Sequence, residues 1–347
     1  MKLDARPAPN LSGSSLASKN FPEQDEQLTD LDLLRGAVRE VMREKGKYAL
    51  HGIAVSLNTP FDENNHVDFR SLEKLIDLHL SEGAVGFLTT AQAAEVFELT
   101  LDERIDIIRY VRDVTSGRAE VIAGTTARDE RESLIAAEAA IQAGCDGVLI
   151  EVPEMHRSDL RATVDFFESF ASLRMPMLMI QDLDWAGFGL DVDLITELFE
   201  RIEPFRCLKI EVNPSGPKYS AVLNATGGRL HVSGGWASQQ MLEALDRGVS
   251  VFMPTAMTRL FAQVINCHQR GDREAAKEWF HLTLPVLAFT RQHLDVSIHF
   301  HKRLFHRRGV FSTPNVRKRS IPYDAYHERC GEELIAYLDK VEKRAFG

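Results

Sequence analysis

Eight short runs of apolar and β-branched residues alternate with amphipathic segments of helical length, and this alternation constrains the fold most strongly. The runs span residues 50–57, 83–90, 120–126, 147–153, 175–182, 207–212, 229–235 and 249–255. The amphipathic segments span residues 66–82, 101–116, 129–144, 159–173, 190–203, 214–226, 237–247 and 257–271. Such alternation is typical of βαβ units that share a parallel sheet. Eight units favour a closed (β/α)8 TIM barrel over an open sheet.

The pattern divides the chain into three parts. Residues 1–47 form an N-terminal extension: a polar tail to about residue 28, then a segment of helical spacing that ends at Gly46. Residues 48–273 form the predicted barrel. Residues 274–347 contain helical stretches at 274–289 and 327–344 and no convincing strand, which predicts a C-terminal helical module packed on the barrel.

Charge, hydropathy and cysteine usage limit the classes of partner. The formal net charge of −10 argues against a general nucleic-acid binder. No run approaches about 18 apolar residues, and the first residues lack the apolar core of a signal peptide, so we expect no membrane partner. The cysteines Cys145, Cys207, Cys267 and Cys330 are scattered, as is typical of reduced thiols. We therefore expect a cytoplasmic protein that acts on small molecules.

The sixth run contains the most informative residues, because active sites of such barrels lie at the carboxyl ends of the strands. Strand alternation puts Leu208, Ile210 and Val212 on the face towards the helices, and Cys207, Lys209 and Glu211 towards the barrel interior. A buried lysine has a lowered pKa, which frees the neutral amine that forms a Schiff base with a carbonyl substrate. The alternative is that Lys209 and Glu211 form an internal salt bridge.

Several segments, taken together and in order, resemble the dihydrodipicolinate synthase/N-acetylneuraminate lyase family over residues 48–345. These segments are Thr59-Pro60-Phe61, Val121-Ile122-Ala123-Gly124-Thr125, Ala143-Gly144-Cys145-Asp146-Gly147-Val148, Leu208-Lys209-Ile210-Glu211 and Ser233-Gly234-Gly235. The resemblance implies that Lys209 condenses with pyruvate or another 2-oxo acid, without a metal or a cofactor. It also implies a homotetramer or a homodimer.

The sequence departs from that family at three strand ends. Where the family usually has Gly-Thr-Thr-Gly-Glu, this chain has Ala91-Gln92-Ala93-Ala94-Glu95, so the hydroxyls that hold the substrate carboxylate are absent. Where the family has a Pro-Tyr-Tyr turn with a proton-shuttling tyrosine, this chain has Pro153-Glu154-Met155. Ile180-Gln181-Asp182 replaces the family's Tyr-Asn. These changes indicate a divergent member with its own substrate.

The candidate site follows from these strand ends. Glu151, Glu211 and His156 are the candidates to replace the tyrosine as general acid or base. The bland alternatives are that Glu151 pairs with a cation, that His156 is an exposed loop residue and that Glu95 only braces its loop. Polar Gln92, Gln181 and Asp182 are candidates to bind substrate hydroxyls. The full set of predicted substrate-binding residues is Thr59, Gln92, Ala93, Glu95, Gln181, Gly234 and Gly235.

The sequence thus predicts a class I lyase acting on a 2-oxo acid, such as a 2-keto-3-deoxy sugar acid or a pyruvate adduct. Aldolase and dehydratase reactions both remain open, because they share the lysine intermediate. The alternative from another class is a non-catalytic protein that binds 2-oxo acids or sugar acids. A third, weaker hypothesis is a phosphate-handling barrel that uses Gly234 and Gly235. The basic tract His299–Arg308 indicates a helix face at a subunit contact rather than a metal site.

Overall fold

The computed structural model describes residues 48–153, 156–157, 159–317 and 320–347. Eight parallel strands pair in chain order and close between the first and the last, which confirms the (β/α)8 barrel. The strands are β1 (Gly52–Ser56), β2 (Gly86–Thr89), β3 (Glu120–Gly124), β4 (Gly147–Glu151), β5 (Leu178–Asp184), β6 (Phe205–Val212), β7 (His231–Gly234) and β8 (Val251–Phe252). The predicted N-terminal tail and helix lie outside the described residues.

Helices follow the strands at the predicted places. Those of the barrel are α1 (Phe69–Ser81), α2 (Leu101–Thr115), α3 (Glu130–Gln142), α4 (Leu160–Ala171), α5 (Val192–Arg201), α6 (Ser215–Ala225), α7 (Met241–Asp246) and α8 (Thr258–Gln269). Side chains that accept from orphan backbone amides fix several helix starts, among them the capping box of Thr100 and Glu103 at α2. Asp68, Asp129 and Asp159 cap α1, α3 and α4 in the same way.

Two apolar clusters stabilise the barrel, one inside it and one around it. The inner cluster contains Leu88, Ile122, Leu149, Met179 and Cys207, one side chain from each of five neighbouring strands. The outer cluster fills the layer between strands and helices. This division follows from strand alternation, since successive side chains point to opposite faces of a sheet.

The described residues of the C-terminal segment form four helices: α9 (Arg273–His281), α10 (Leu284–Thr290), α11 (Leu294–Arg307) and α12 (Ala325–Phe346). A module boundary after residue 273 remains a prediction. Hydrogen bonds tie the segment to the loop after β1, where the Thr313 hydroxyl donates to the Phe61 carbonyl over 2.7 Å. The segment therefore holds a fixed position against the strand ends, which places α10 and α11 beside the interior of the barrel.

The basic tract on α11 differs from the sequence-based expectation. His301 and Lys302 are buried, with 6% and 0% of their surfaces exposed, so they do not belong to an exposed basic face. Helical periodicity alone could not give this result, because the buried side of α11 depends on how it packs against the barrel. None of the described helices is long and apolar enough to cross a membrane.

Candidate active site

Strand β6 presents its lysine to the barrel interior, as its alternation predicts. Leu208 and Ile210 belong to the outer cluster, whereas Cys207 belongs to the inner one. Lys209 and Glu211 share the side of Cys207 and line a cavity at the carboxyl ends of the strands. Both are buried, with 4% and 7% of their surfaces exposed. The predicted orientation of the strand is therefore confirmed.

A row of polar residues crosses four neighbouring strands at the level of this lysine. The register pairs Glu151 with Gln181, Gln181 with Lys209, and Lys209 with Ser233. Paired residues of adjacent strands point to the same side of the sheet, so all four side chains face inward. The parallel register thus brings together three of the predicted site residues from separate strands.

Lys209 and Glu211 form an ion pair within this row. The distance from Lys209 Nζ to Glu211 Oε2 is 2.8 Å, and the Gln181 side-chain amide donates to the same carboxylate oxygen. A buried ion pair is tolerated only when its remaining polar atoms are also satisfied. The salt bridge considered from the sequence is therefore present. It lies in the wall of the cavity.

The cavity is lined by residues from the barrel and from the C-terminal helices. The barrel contributes Ser56, Ala91, Gln92, Ala93, Trp185, Lys209, Glu211, Gly235, Met253, Pro254, Thr255, Ala256, Met257 and Phe261. The helical segment contributes Leu287, Thr290, Arg291, Leu294, Ser297 and His301. The lining thus combines apolar side chains with polar and charged ones from both parts of the chain, as is typical of small-molecule sites.

Glu151 lies next to the ion pair and accepts a hydrogen bond from the Gln92 side-chain amide over 2.8 Å. Burial is the main cause that raises the pKa of its carboxyl group, and the negative charge of Glu211 adds to it. The Gln92 hydrogen bond and the charge of Lys209 act in the opposite direction. Glu151 therefore holds its proton to higher pH than an ordinary glutamate, which suits a general acid.

Gly235 supports the carboxylate of Glu211 by having no side chain. A Cβ atom at this position would collide with Cγ, Cδ and Oε1 of Glu211. Gly234 is the register partner of Ile210, which faces the helices, and lies outside the cavity lining. Of the two predicted glycines, Gly235 thus adjoins the site, where it gives space to a protein carboxylate.

Other predicted residues lie away from the cavity. Thr59 is buried and donates to the Ala94 carbonyl over 2.9 Å, and Glu95 forms a buried ion pair with Lys302 of α11. His156 lies 2.6 Å from a Glu130 carboxylate oxygen, at the start of α3. The structure does not bring these three side chains to Lys209. The bracing role considered for Glu95 agrees with this position.

Asp182 also lies apart from the cavity. Its carboxylate lies 3.2 Å from Lys218 Nζ and accepts from the Leu190 amide over 2.9 Å. It is the register partner of Ile210, on the side of β5 that faces the helices. The expectation that Asp182 binds substrate hydroxyls is wrong, because strand alternation turns it away from Gln181.

The C-terminal helices supply site residues that sequence reasoning missed. Arg291 follows directly after α10, and Ser297 and His301 lie on α11. Burial lowers the pKa of His301 to about 3, so its ring is neutral, and its Nδ1 lies 3.3 Å from the Ser297 hydroxyl. No motif marks these residues, since their place depends on the packing of helices far from the barrel strands in sequence.

The described residues hold no cluster of three or more His, Cys, Asp or Glu side chains that could bind a metal ion. The polar groups around the cavity include a lysine, carboxyl groups, an amide, hydroxyls and a guanidinium. Such groups can bind an organic acid, exchange protons with it and form a bond to its carbonyl carbon.

Known proteins share sequence with this chain over most of its described residues. The model of the dihydrodipicolinate synthetase family matches residues 49–337. An uncharacterised DapA-like lyase of Rhizobium meliloti is 30% identical over 148 residues, which cover 43% of this chain and 49% of the relative. A 4-hydroxy-tetrahydrodipicolinate synthase of Geobacter metallireducens is 25% identical over 240 residues, which cover 68% and 81%. With several curated relatives, the alignment spans about half of the relative's length.

Solved structures share the fold at low identity. A 4-hydroxy-tetrahydrodipicolinate synthase of Methylacidiphilum fumariolicum superposes with a TM-score of 0.78 at 17% identity, covering 85% of this chain and 98% of that one. The protein YagE of Escherichia coli, solved in complex with pyruvate, superposes with a TM-score of 0.74 at 18% identity, covering 85% and 99%. The C-terminal helices are thus included in a fold that other proteins share.

Proposed function

Because the chain belongs to the dihydrodipicolinate synthetase family, we propose that it is a class I lyase that binds a 2-oxo acid as an imine of Lys209. The observation that carries this proposal is the position of the lysine. Lys209 Nζ lies in a cavity at the carboxyl ends of the barrel strands, 2.8 Å from a carboxylate that can accept its proton. A neutral amine at this place is a nucleophile for the keto carbon.

The proposed reaction begins with proton transfer from the Lys209 ammonium to Glu211. The neutral amine attacks C2 of the 2-oxo acid, and the keto oxygen takes a proton from Glu151. The attacking nitrogen, now positively charged, returns a proton to Glu151. The C2 hydroxyl then leaves as water with the proton that Glu211 took from Lys209, which leaves the iminium. Glu151 suits the donor role because burial raises its pKa. The iminium then accepts the electron pair of a broken C–C bond or C–H bond, which gives the enamine. The proton released, from the hydroxyl of the departing carbonyl fragment or from C3, goes to the Glu211 carboxylate.

Two side-chain amides orient the two carboxyl groups that exchange protons in the proposed reaction. Gln92 donates to Glu151, and Gln181 donates to Glu211, so each carboxyl group is oriented by one amide. In the site without substrate, both amides therefore bind protein carboxyl groups.

A 2-keto-3-deoxy sugar acid and a pyruvate adduct each contain the required 2-oxo acid group. Aldolase and dehydratase reactions on them both pass through the same enamine. We expect the enzyme to act as a cytoplasmic homodimer or homotetramer.

Reductive trapping tests the proposal. The protein is incubated with pyruvate and other 2-oxo acids and reduced with borohydride, and intact mass and peptide mapping locate the adduct. Pyruvate is the first probe, since YagE has been solved with it. We expect one adduct, on Lys209, that Lys209→Ala abolishes. Lys277→Ala is the matched control, because Lys277 is 37% exposed and pairs with Glu274 on α9.

A second candidate function is a non-catalytic protein that binds a 2-oxo acid. The Lys209–Glu211 ion pair favours it, because a lysine held as an ammonium does not attack a ketone. This candidate predicts that pyruvate binds in calorimetry while no acid in the panel is trapped. Trapping only above about pH 10, where an ordinary lysine loses its proton, also favours it. Absence of any adduct in a folded sample would overturn the lyase proposal.

A further inference from the structure

Helix α11 presents a histidine to the cavity that contains Lys209. His301 lines this cavity and is buried, with 6% of its surface exposed. We propose that a ring nitrogen of His301 accepts a hydrogen bond from a hydroxyl of the substrate, so that the C-terminal segment favours hydroxylated 2-oxo acids over those without a hydroxyl. The inference rests on the proposed function, because it takes a 2-oxo acid bound at Lys209 as the ligand.

The contacts of the ring decide which nitrogen can accept. His301 Nδ1 lies 3.3 Å from the hydroxyl of Ser297, one helical turn earlier, and the ring also donates to the backbone carbonyl of Ser297. A carbonyl oxygen only accepts, so Nδ1, on the side of Ser297, carries the hydrogen of the neutral ring. Nε2 therefore keeps a lone pair. Within the described part of the chain, Nε2 makes no hydrogen bond of its own.

Burial keeps the ring neutral, which preserves the lone pair on Nε2. It lowers the pKa of His301 to about 3, against the effect of the hydrogen bond to Ser297, and the positive charge of Arg291 adds to the lowering. At neutral pH the ring is thus not a cation, and Nε2 has no hydrogen to donate. A hydroxyl group, which brings its own hydrogen, is the complementary ligand.

The turn of α11 that contains His301 has a fixed position. Lys302, the next residue, forms the buried ion pair with Glu95 and donates to the Asn315 carbonyl over 2.9 Å. The Phe300 ring lies edge-on to the imidazole, with 5.4 Å between the ring centres. A hydrogen-bonding group that is held in place before binding loses little conformational freedom when its ligand arrives. The position of His301 therefore favours a specific contact with a hydroxyl.

Other polar side chains of the lining are engaged with the protein. The Ser56 hydroxyl donates to the Met253 carbonyl over 3.2 Å. The Thr290 hydroxyl donates to the Val286 carbonyl over 2.9 Å. A site that hydrogen-bonds a substrate hydroxyl distinguishes an analogue without it far more strongly than an apolar wall does. His301 can therefore act as a specificity-determining residue.

Pairs of acids that differ only in hydroxyls test the proposal through the same trapping reaction. 2-Keto-3-deoxygluconate and 2-oxohexanoate differ in the hydroxyls at C4, C5 and C6, whereas 4-hydroxy-2-oxopentanoate and 2-oxopentanoate differ at C4 alone. Adducts of the intact acid and of its reaction products on Lys209 are counted together. We expect His301→Leu to raise the half-saturating concentration of a hydroxylated acid about 10-fold while leaving its partner unchanged.

Two further variants at this position sharpen the test. His301→Phe, which keeps a ring but has no nitrogen, should have the same effect as His301→Leu and replaces it if the leucine variant does not fold. His301→Gln, which retains a side-chain oxygen that accepts hydrogen bonds, should fall between these variants and the unaltered protein. A response of both pairs of acids would place the bound hydroxyl at C4, and a response of the sugar-acid pair alone would place it at C5 or C6.

His306→Leu is the matched control, because His306 lies on the same helix and is exposed. It should leave both pairs unchanged. An equal change for the two acids of each pair in the His301 variants, or no change for any acid, would overturn the proposal. Both results require trapping by the unaltered protein, whereas failure of the proposed function removes trapping there too, so the two failures are distinguishable.

Discussion

Two buried lysine–glutamate pairs differ in what surrounds them. Lys209 and Glu211 lie in the wall of a cavity, whereas Lys302 and Glu95 are closed between α11 and the loop after β2. Lys302 is 0% exposed, and it donates to the Asn315 carbonyl over 2.9 Å. It also lies 4.1 Å from the ring centre of Phe61. Protein atoms thus enclose the second lysine on several sides.

This difference distinguishes an ion pair with a structural role from one that can take part in a reaction. Burial and pairing are common to both lysines, so neither property identifies a nucleophile. Access for a carbonyl compound does, together with a proton acceptor at hydrogen-bond distance. The closed pair instead joins the helical segment to the barrel, and the Arg317 amide donates to the same glutamate over 2.7 Å. It fixes the helices that bring Arg291 to the cavity.

The largest expected effect comes from breaking the closed pair, Lys302 and Glu95. Lys302→Met leaves Glu95 buried without its cation, which should lower the free energy of unfolding by about 3–5 kcal/mol. Lys209→Met is the matched variant, and it should cost less than about 2 kcal/mol, since water in the cavity can solvate Glu211 and Gln181 still donates to it. Urea unfolding measures both. Equal losses in the two variants would contradict the comparison.

The next largest effect comes from a variant that moves the Glu211 carboxylate, the proton acceptor of Lys209, without removing a charge. Gly235→Ala places a Cβ against the Glu211 carboxyl group, so that this group must shift away from Lys209. We expect the rate of adduct formation to fall about 10- to 100-fold, because small misplacements of reacting groups have effects of this size. Stopped-time borohydride trapping measures the rate.

A double variant separates the clash from the chemistry. In Gly235→Ala/Glu211→Asp the shorter side chain makes room for the new methyl group but no longer reaches the lysine. Its stability should recover towards that of the unaltered protein, while its trapping rate stays low. A Gly235→Ala variant that traps pyruvate at the full rate would show that the position of Glu211 does not control the reaction.

The sequence predicted the inward direction of the side chains on β6 and β4 for a local reason. Alternation within β6 is a property of the strand itself, so the inward direction of Lys209 and Glu211 could be derived from six residues. The alternation of β4 likewise placed Glu151 with inward-facing Leu149. The carboxyl ends of the strands of a closed barrel lie together. The prediction that these side chains share one site therefore needed only the number of strands.

The rest of the site depends on long-range packing. The positions of Glu95 and Thr59 away from Lys209 could not be predicted, because the loops that contain them pack against the C-terminal helices and against each other. Arg291 could not be chosen from the sequence, because the face that α10 turns to the barrel is set by contacts with distant elements. The prediction for Asp182 failed because it overlooked strand alternation. Asp182 directly follows inward-facing Gln181 and so points to the opposite face of β5.

A smaller effect distinguishes the closed pair by its pH dependence. Burial lowers the pKa of Lys302 from 10.5 to about 8, although the charge of Glu95 acts in the opposite direction. Between these values the unfolded chain binds a proton that the folded protein has lost, so this group makes stability rise with pH, by at most about 1.4 kcal/mol per pH unit.

The variant for this measurement removes both members of the pair. In Lys302→Met/Glu95→Gln neither side chain titrates, so the difference in unfolding free energy from the unaltered protein isolates the pair. That difference should move in favour of the unaltered protein as the pH rises from 8 to 10. A difference that is constant over this range would mean that Lys302 keeps an ordinary pKa in the folded state.

The smallest effect is a change of stability with pH that has the opposite sign and comes from Glu151, beside Lys209. Burial raises the pKa of Glu151 above 4.5, so between 4.5 and the raised value the folded protein binds more protons than the unfolded chain. Stability contributed by this group is therefore lost as the pH rises through that window, by at most about 1.4 kcal/mol per pH unit, the limit set by one proton. Glu151→Gln should remove this slope.

Gln92→Leu provides the matched test of the same group, since it removes the hydrogen bond that lowers the pKa of Glu151. The window in which stability is lost should then extend to higher pH, whereas Glu151→Gln/Gln92→Leu should have no such window. Urea unfolding between pH 4.5 and 7 measures all four proteins. Parallel curves for the unaltered protein and Gln92→Leu would mean that the amide does not control the proton of Glu151, and the role of Glu151 as proton donor would lose its support.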